Sequence, residues 1–435
     1  MRSRRARKPS GAALLLAVAI PCAAGAAPGG PVGPVVRVGT IASPAGLPTP
    51  TVAAAAFTDG GFVVVWNGPD TLRARLLDRN GIATGGEIQL ARPAGQLVDA
   101  VAALPGGFVV VWEQANRYQV SSVFARLFDR SGAPLGQPFK VHGNSQYGRC
   151  CALAAAAPGG GFAVSWSAAA GTDSPPHPDP GFTDAILSRF FDARGRPLGP
   201  APKDPKLGPA PYGILDWFSA SAVAASPDGV LTDVIVDAGD QVDLFWSRSD
   251  QAGAGAGGGA ISPSDADGAD GYYVNLGNAG VGVLPEGGFI VSWVSNLYYC
   301  LPSSPPCTSS VFAQRFNGAG APLGEPIEVS EHGYALVPWP ALQPVGVLPD
   351  GGFIAIWNAV SAAPAPPGSG DAGLLFGRAF NADGTPKSAE FRVSTGSAGN
   401  ERAGAIAVAP GGDALAVWSQ PVAGATSVFA RLLRP

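Results

Sequence analysis

The chain has 435 residues, 14% of them charged, and a formal net charge of −4, enough for one large repeat domain or two or three ordinary ones. A mildly acidic, charge-poor chain lacks the basic face that displaces counterions from phosphates, so nucleic acid is not an expected partner. Its 61 glycines and 43 prolines alternate with aromatic and β-branched runs at fixed offsets, which makes them turns and not a disordered tract.

In chain order, the first element is a leader. Arg2, Arg4, Arg5, Arg7 and Lys8 precede a short apolar stretch at 11–20, and Ala24-Gly25-Ala26 offers small residues for cleavage before Ala27. The apolar stretch is too short to cross a bilayer, and no later segment does better. The expectation is a signal peptide over 1–26 and an exported protein, periplasmic or extracellular, without a membrane span. Cys22 follows Ala19-Ile20-Pro21, a poor context for lipidation, so cleavage is preferred over an anchor.

Next comes an orphan strand, Val35-Val36-Arg37-Val38-Gly39, and then a phrase that recurs. Gly-Gly-Phe-Val-Val-Val-Trp at 60–66 returns at 106–112, with variants ending at Trp166, Trp293, Trp357 and Trp418. A second phrase follows, clearest at 125–136 and 313–324, of the type Ala-Arg-Leu-Phe-Asp-x-x-Gly-x-Pro-Leu-Gly. The second repeat parses into strands near 98–104, 108–112, 122–128 and 138–142, separated by Gly, Pro, Asp and Asn. The phrase strand is apolar at successive positions, so both its faces are covered, as they are between neighbouring blades of a propeller.

Counting gives seven units, the fourth degenerate, with Ser226-Pro227-Asp228-Gly229 as its turn and strands at 230–236 and 242–246. The last unit stops after its third strand, at 427–433. The orphan strand would complete it and close the ring, leaving no long sheet edge exposed. The predicted fold is therefore all-β: one seven-bladed β-propeller of four-stranded antiparallel blades over 27–435, with an irregular fourth blade at about 219–275. The phrases Asp-Gly-Gly-Phe-x-x-x-Trp and Ala-Arg-Phe-Asp-x-x-Gly-x-Pro-Leu-Gly resemble repeats of exported bacterial proteins, often large surface or calcium-binding adhesin-like ones. The resemblance implies a propeller-like fold and brings no catalytic residues with it.

Features present in every blade build the ring, and functional residues are expected where repeats differ. One Trp per blade at a fixed strand position is core packing. Arg75, Arg126, Arg189, Arg315, Arg378 and Arg431 recur in third strands, where each is expected to stack on an aromatic ring or pair between blades. Asp78, Asp129 and Asp192 lie in tight turns and bond locally. Connections between first and second strands, and between third and fourth, are short and uniform. The other two kinds vary and emerge together, giving one plain face and one loop-rich face.

The loop-rich face collects Tyr147, Tyr212, Trp217, Tyr298, Tyr299, Tyr334 and Trp339, which suit a glycan or protein ligand or pack the loops themselves. His142, His177 and His332 fall there too but lack a paired zinc spacing. No cofactor is expected apart from calcium, for which Asp265, Asp267 and Asp270 are the candidate ligands. They sit in a Gly-Ala-Asp insertion at 250–271 that also reads as a solvated loop. Cys300 and Cys307 flank a Pro-Ser loop and are the preferred disulfide, while adjacent Cys150 and Cys151 form a vicinal disulfide or remain two thiols. The expected function is an exported, monomeric, non-catalytic binding or scaffolding module for a protein or glycan. The alternative is a sugar-cleaving hydrolase with acids from the well and from Asp216, Asp233, Asp237, Asp240 and Asp243 of the fourth unit.

Overall fold

The structure, a computed structural model, describes residues 33–41, 52–68, 71–91, 96–115, 121–142, 149–168, 185–200, 218–238, 242–251, 255–261, 274–275, 279–297, 310–331, 344–360, 373–395, 401–422 and 425–435. They form seven antiparallel sheets arranged as the blades of a β-propeller. Blade 2 is typical: Gln96–Leu104, Gly107–Ala115, Ser121–Asp129 and Phe139–Lys140 pair in sequence order. Blade 3 shows three strands among the described residues, because positions 201–217 after its third strand lie outside them. In blade 5, two short segments, Val274–Asn275 and Gly280–Val283, both pair with the second strand and together make an interrupted first strand.

The first strands touch one another around the whole ring, that of blade 7 meeting that of blade 1, so they line the centre. Closure comes from the N-terminal segment. Val36–Ile41 pairs antiparallel with Ala425–Leu433 and becomes the outer strand of blade 7. This bears out the sequence-based closure, and the described strand reaches two residues further than the orphan segment suggested.

The repeated phrases now have physical roles. Second strands such as Phe62–Asn67 are buried at every position, because each blade is packed between two others. Trp66, Trp166, Trp293, Trp357 and Trp418 are at most 1% exposed and lie in the core. The second- and third-strand phenylalanines stack at 4.6–5.2 Å, as in Phe353–Phe380 and Phe108–Phe128. In the Asp-x-x-Gly turns, Asp129 Oδ1 accepts from the Ser131 and Ala133 amides at 2.8 and 2.9 Å. The Ser131 hydroxyl, followed by these amides, holds the Asp129 carboxyl below its usual range. Gly132 has φ 84°, a conformation that favours glycine, and an added Cβ would lie 2.5 Å from Ile88 Cδ1 of the preceding blade.

In five of the blades an arginine clasps the blade to the one before it. Arg126 donates through Nε to Gly136 O in its own blade at 2.8 Å and through Nη1 to Leu90 O of blade 1 at 3.4 Å. Arg75 reaches Val38 O, Arg189 reaches Val141 O, Arg378 reaches Val329 O and Arg431 reaches Val393 O, all at 2.9–3.2 Å. Arg126, Arg189 and Arg378 also lie over phenylalanine rings at 5.3–5.7 Å. Arg315 departs from the expected row. Gln314 takes the clasp position in blade 5 and donates to Gly324 O at 3.1 Å. A shift of one residue along a strand changes faces, so Arg315 instead faces Glu286 at 3.5 Å.

Blade 4 is more regular than its sequence suggests. Its four strands are Phe218–Ala225, Leu231–Ala238, Val242–Ser249 and Gly255–Ala260. Part of the segment expected as a solvated insertion is thus the outer strand. Its glycines let the chain lie against Trp246, where a Cβ on Gly259 would be 3.1 Å from the indole nitrogen.

Candidate functional site

Two regions break the repeat pattern among the described residues: the centre of the ring and one blade interface. First strands run from the loop-rich face to the plain face, so their starts form the mouth of the well on the loop-rich side. Valine, alanine and glycine dominate these strands: Val52–Ala56 reads Val-Ala-Ala-Ala-Ala, Gly280–Val283 reads Gly-Val-Gly-Val and Val345–Val347 reads Val-Gly-Val. The residue paired with the second position of the second-strand phrase, after Phe in five blades, Leu231 in blade 4 and Ala414 in blade 7, is small in every blade, as Ala55, Ala102, Ala155, Ala224, Gly282, Gly346 and Ala407 show. The fit is close enough that a Cβ on Gly282 would sit 2.6 Å from Val347 Cγ2, and one on Gly346 2.5 Å from Val408 Cγ2.

Near the mouth, the first strands of blades 2, 3, 4 and 7 share one irregularity. The register slips between Val98 and Ala100, Cys150 and Leu153, Ala220 and Ala222, and Ala403 and Ala405. Each slip is a β-bulge, a device that bends a strand and re-aims its residues at a rim. The bulge residues include Asp99, Ser221 and Gly404, and the blade 3 bulge spans Cys151. Asp99 is the one carboxylic acid in the described first strands.

The second region lies between blades 3 and 4. Asp233 is 2% exposed and occupies a position held by Val64, Val110, Val164, Val291, Ala355 and Ala416 in the other blades. Two polar residues of blade 3 face it. The Ser188 hydroxyl donates to Asp233 Oδ2 at 3.3 Å and lies 3.4 Å from Ser165 Oγ. Asp233 Oδ1 has no partner among the described residues. Burial raises this carboxyl to a pKa of about 6, against the lowering effect of Ser165 and Ser188. Among the described residues no cation or imidazole joins the group, so it is not arranged for nucleophilic attack. Asp233 was a sequence candidate, and the two serines were not. Ser188 stands where other blades carry Ala, Gly or Trp246, which was an available signal, whereas the position of Ser165 is serine in blade 5 as well, at Ser292.

A second buried carboxyl, Glu401, lies between blades 6 and 7. It accepts from Leu375 N at 3.0 Å and from the Ser394 hydroxyl, while its carbonyl accepts from Asn358 Nδ2 at 2.8 Å. Burial raises its pKa as well. This carboxyl closes the edge of a third strand beyond the end of its fourth-strand partner. His142 does the same in blade 2, where Val123 N donates to its Nε2 at 3.2 Å, so this histidine is a structural acceptor.

The remaining sequence candidates fall outside the described residues. These are Tyr147, Tyr212, Trp217, Tyr298, Tyr299, Tyr334 and Trp339, the aspartates Asp265, Asp267 and Asp270, the Cys300–Cys307 pair, His177, His332, Asp216, Asp240 and the leader. Cys150 and Cys151 lie in the backbone of the Arg149–Ala156 strand, and Asp237 pairs with Asp243 across blade 4 in register. Among the described residues, no three His, Cys, Asp or Glu side chains gather as a metal-binding group, and no helix is long and apolar enough to cross a membrane.

No family model matches the chain, and no curated protein matches it. Among solved structures it is similar to the α-L-arabinofuranosidase Arb93A of Fusarium graminearum bound to an iminosugar inhibitor, at 10% identity, over 93% of this chain and 98% of that one, with a TM-score of 0.50. A protein of unknown function from Dyadobacter fermentans matches at 11% identity over 93% of this chain and 100% of that chain, with a TM-score of 0.48. At such identities the likeness to the arabinofuranosidase concerns the fold alone, and that fold is the β-propeller already described.

Proposed function

We propose that the protein is an exported binding module that takes a glycan or protein segment on its loop-rich face, over the mouth of the well, and breaks no bond in it. The observation that carries this reading is the composition of the described first strands: Ala, Val and Gly dominate, with Asp99 as the one carboxylic acid. Most enzymes that cleave glycosidic bonds use two carboxyl groups about 5–10 Å apart across the substrate. The two buried carboxyls described, Asp233 and Glu401, instead face different blade interfaces. Tyr147, Tyr212, Trp217, Tyr298, Tyr299, Tyr334 and Trp339 are the proposed contact residues, Asp265, Asp267 and Asp270 the proposed calcium ligands, and Cys300–Cys307 the proposed bridge.

The test is a glycan and peptide array probed with the purified exported protein. Any ligand found is then incubated with the protein and analysed for cleavage, with arabino-oligosaccharides included because the arabinofuranosidase shares the fold. Saturable binding weakened by Trp217→Ala or Trp339→Ala, with the ligand recovered intact, is expected. Turnover abolished by Asp99→Asn would replace this reading with the hydrolase one.

A further inference from the structure

We infer that the ring parts at one joint, between blades 3 and 4, and that Asp233 is its latch. The ladder position that holds the clasping arginine in blades 1, 2, 3, 6 and 7 is Ser247 in blade 4, opposite Asp233. A serine hydroxyl is too short to span two blades as a guanidinium does. Blade 4 is held instead on its other side. Arg248 donates through Nη1 to Gly318 O of blade 5, and the Trp246 and Phe289 rings lie 5.3 Å apart. Blade 4 therefore stays with blade 5 when it leaves blade 3. Parting the joint separates the first strands Arg149–Ala156 and Phe218–Ala225, which line the well, and so widens it.

Apolar packing shows the same contrast. Among the described residues, blades 3 and 4 share a buried cluster of Ala157, Ala163, Phe190 and Leu231, with a single aromatic ring. Blades 4 and 5 bury Trp246, Phe289, Trp293 and Phe316 together. Two of the four residues between blades 3 and 4 are alanines, which contribute one methyl group each. Opening this joint therefore exposes less apolar surface than opening its neighbour.

Asp233 stands at the centre of this thin contact. Ser165 and Ser188 face it from blade 3, and Val223 and Ser247 flank it in the blade 4 ladders. Ala155, from the first strand of blade 3, packs at the same joint. None of these groups is charged. Arg189 turns away to Val141 O of blade 2 and Arg248 to blade 5, while Asp237 and Asp243 stand opposite each other further along the blade 4 ladder. No described cation therefore neutralises an ionised Asp233, whose carboxyl burial raises to about 6. As a neutral acid it is tolerated between the blades, whereas as an anion it is drawn to water, which an open joint supplies. The joint is firm in acid and loosens as pH rises through 6.

The experiment is site-resolved thiol labelling of the exported protein carrying Ala163→Cys, inside the joint. The reference is Ala125→Cys, in the joint between blades 2 and 3, and both alanines are fully buried. The probe is 4,4′-dithiodipyridine, and each rate is taken relative to the reference at the same pH. At pH 7.5 the thiol at position 163 should react roughly tenfold or more faster than the one at 125, and at pH 4.5 the two rates should converge. Adding Asp233→Asn should remove the excess at pH 7.5, because the amide is neutral throughout. Equal rates at pH 7.5, a ratio that does not change with pH, or an excess that survives Asp233→Asn overturns the inference. Hydrogen exchange of the native chain needs no variant. Corrected for intrinsic pH dependence, Phe162–Ala168 and Leu231–Ala238 should lose protection between pH 4.5 and 7.5 while Gly107–Ala115 keeps its own. Equal protection of these strands at both pH values overturns the inference as well.

Discussion

Replacing Val38 with alanine tests the closure of the ring at a single side chain. Val38 is fully buried and belongs to the N-terminal strand, yet its cluster comprises Phe62, Val64 and Trp66 of blade 1 and Val428, Ala430 and Leu432 of blade 7. Two methyl-sized groups leave the core, worth about 1.6 kcal/mol at ~0.8 kcal/mol per group. The space between a tryptophan and two sheets cannot collapse fully, so a cavity contribution brings the cost to about 2–3 kcal/mol. Unfolding entropy of ~2.1 cal/mol/K per residue over about 400 residues gives ~0.85 kcal/mol/K, so Tm should fall by about 3 °C if the ring melts as one unit. The assay is thermal unfolding followed by circular dichroism, with Arg37→Ala as the control, since Arg37 is the exposed neighbour in the same strand. A Val38→Ala protein that melts within about half a degree of the control would mean that the N-terminal strand is not part of the melting unit, and the closure argument would fail.

Three further outcomes follow from the interfaces. Asp233 titrates near 3.8 when unfolded and near 6 in the ring, so its contribution to stability is complete below pH 4 and is lost as pH rises through 6, about 3 kcal/mol in all. Asp233→Asn should therefore flatten the dependence of the urea midpoint on pH between 4 and 7, and an unchanged slope would contradict the assignment. Gly404→Ala places a Cβ 1.7 Å from Val52 Cγ2 across the blade 7–blade 1 contact, so it should lower Tm. Val52→Ala should recover part of that loss, and strict additivity in the double mutant would refute the contact. Arg378→Ala removes hydrogen bonds to Val329 O and Ser388 O, the Glu331 ion pair and the Phe380 contact, a loss of about 2–3 kcal/mol in denaturant unfolding. Arg378→Lys should recover little, because an ammonium cannot span the two carbonyls, and full recovery would show that charge alone matters.

The ring was legible because its determinants are local and repeated. Phe62–Asn67 and its counterparts are apolar at every position only because both faces are covered, and the Asp-x-x-Gly turns advertise themselves through a glycine at positive φ. The out-of-phase ends gave the closure. Blade 4 was harder to place, because its outer strand is Gly-Ala-Gly-Gly-Gly-Ala, whose backbone pairing is invisible to hydrophobic periodicity. The arginine row illustrates a one-residue limit: Gln314 and Arg315 are adjacent in sequence, and only the register decides which of them faces the preceding blade. Ser165 and Ser188 escaped notice because a lone serine in a strand is unremarkable. They acquire meaning only beside Asp233, a neighbour that sequence order does not reveal.

The arginine clasp, found in five blades, joins a blade only to its predecessor, through groups that those repeats share, and is therefore indifferent to how many blades the circle holds. A chain that gained or lost a whole repeat would keep such clasps. The number seven must be set elsewhere, and the Gly282–Val347 and Gly346–Val408 contacts at the centre are where the circumference is measured. Wider side chains there would push the innermost strands apart and favour a larger circle. Repeat duplication in this architecture thus meets its limit at the hub, while the rim can accept copies freely.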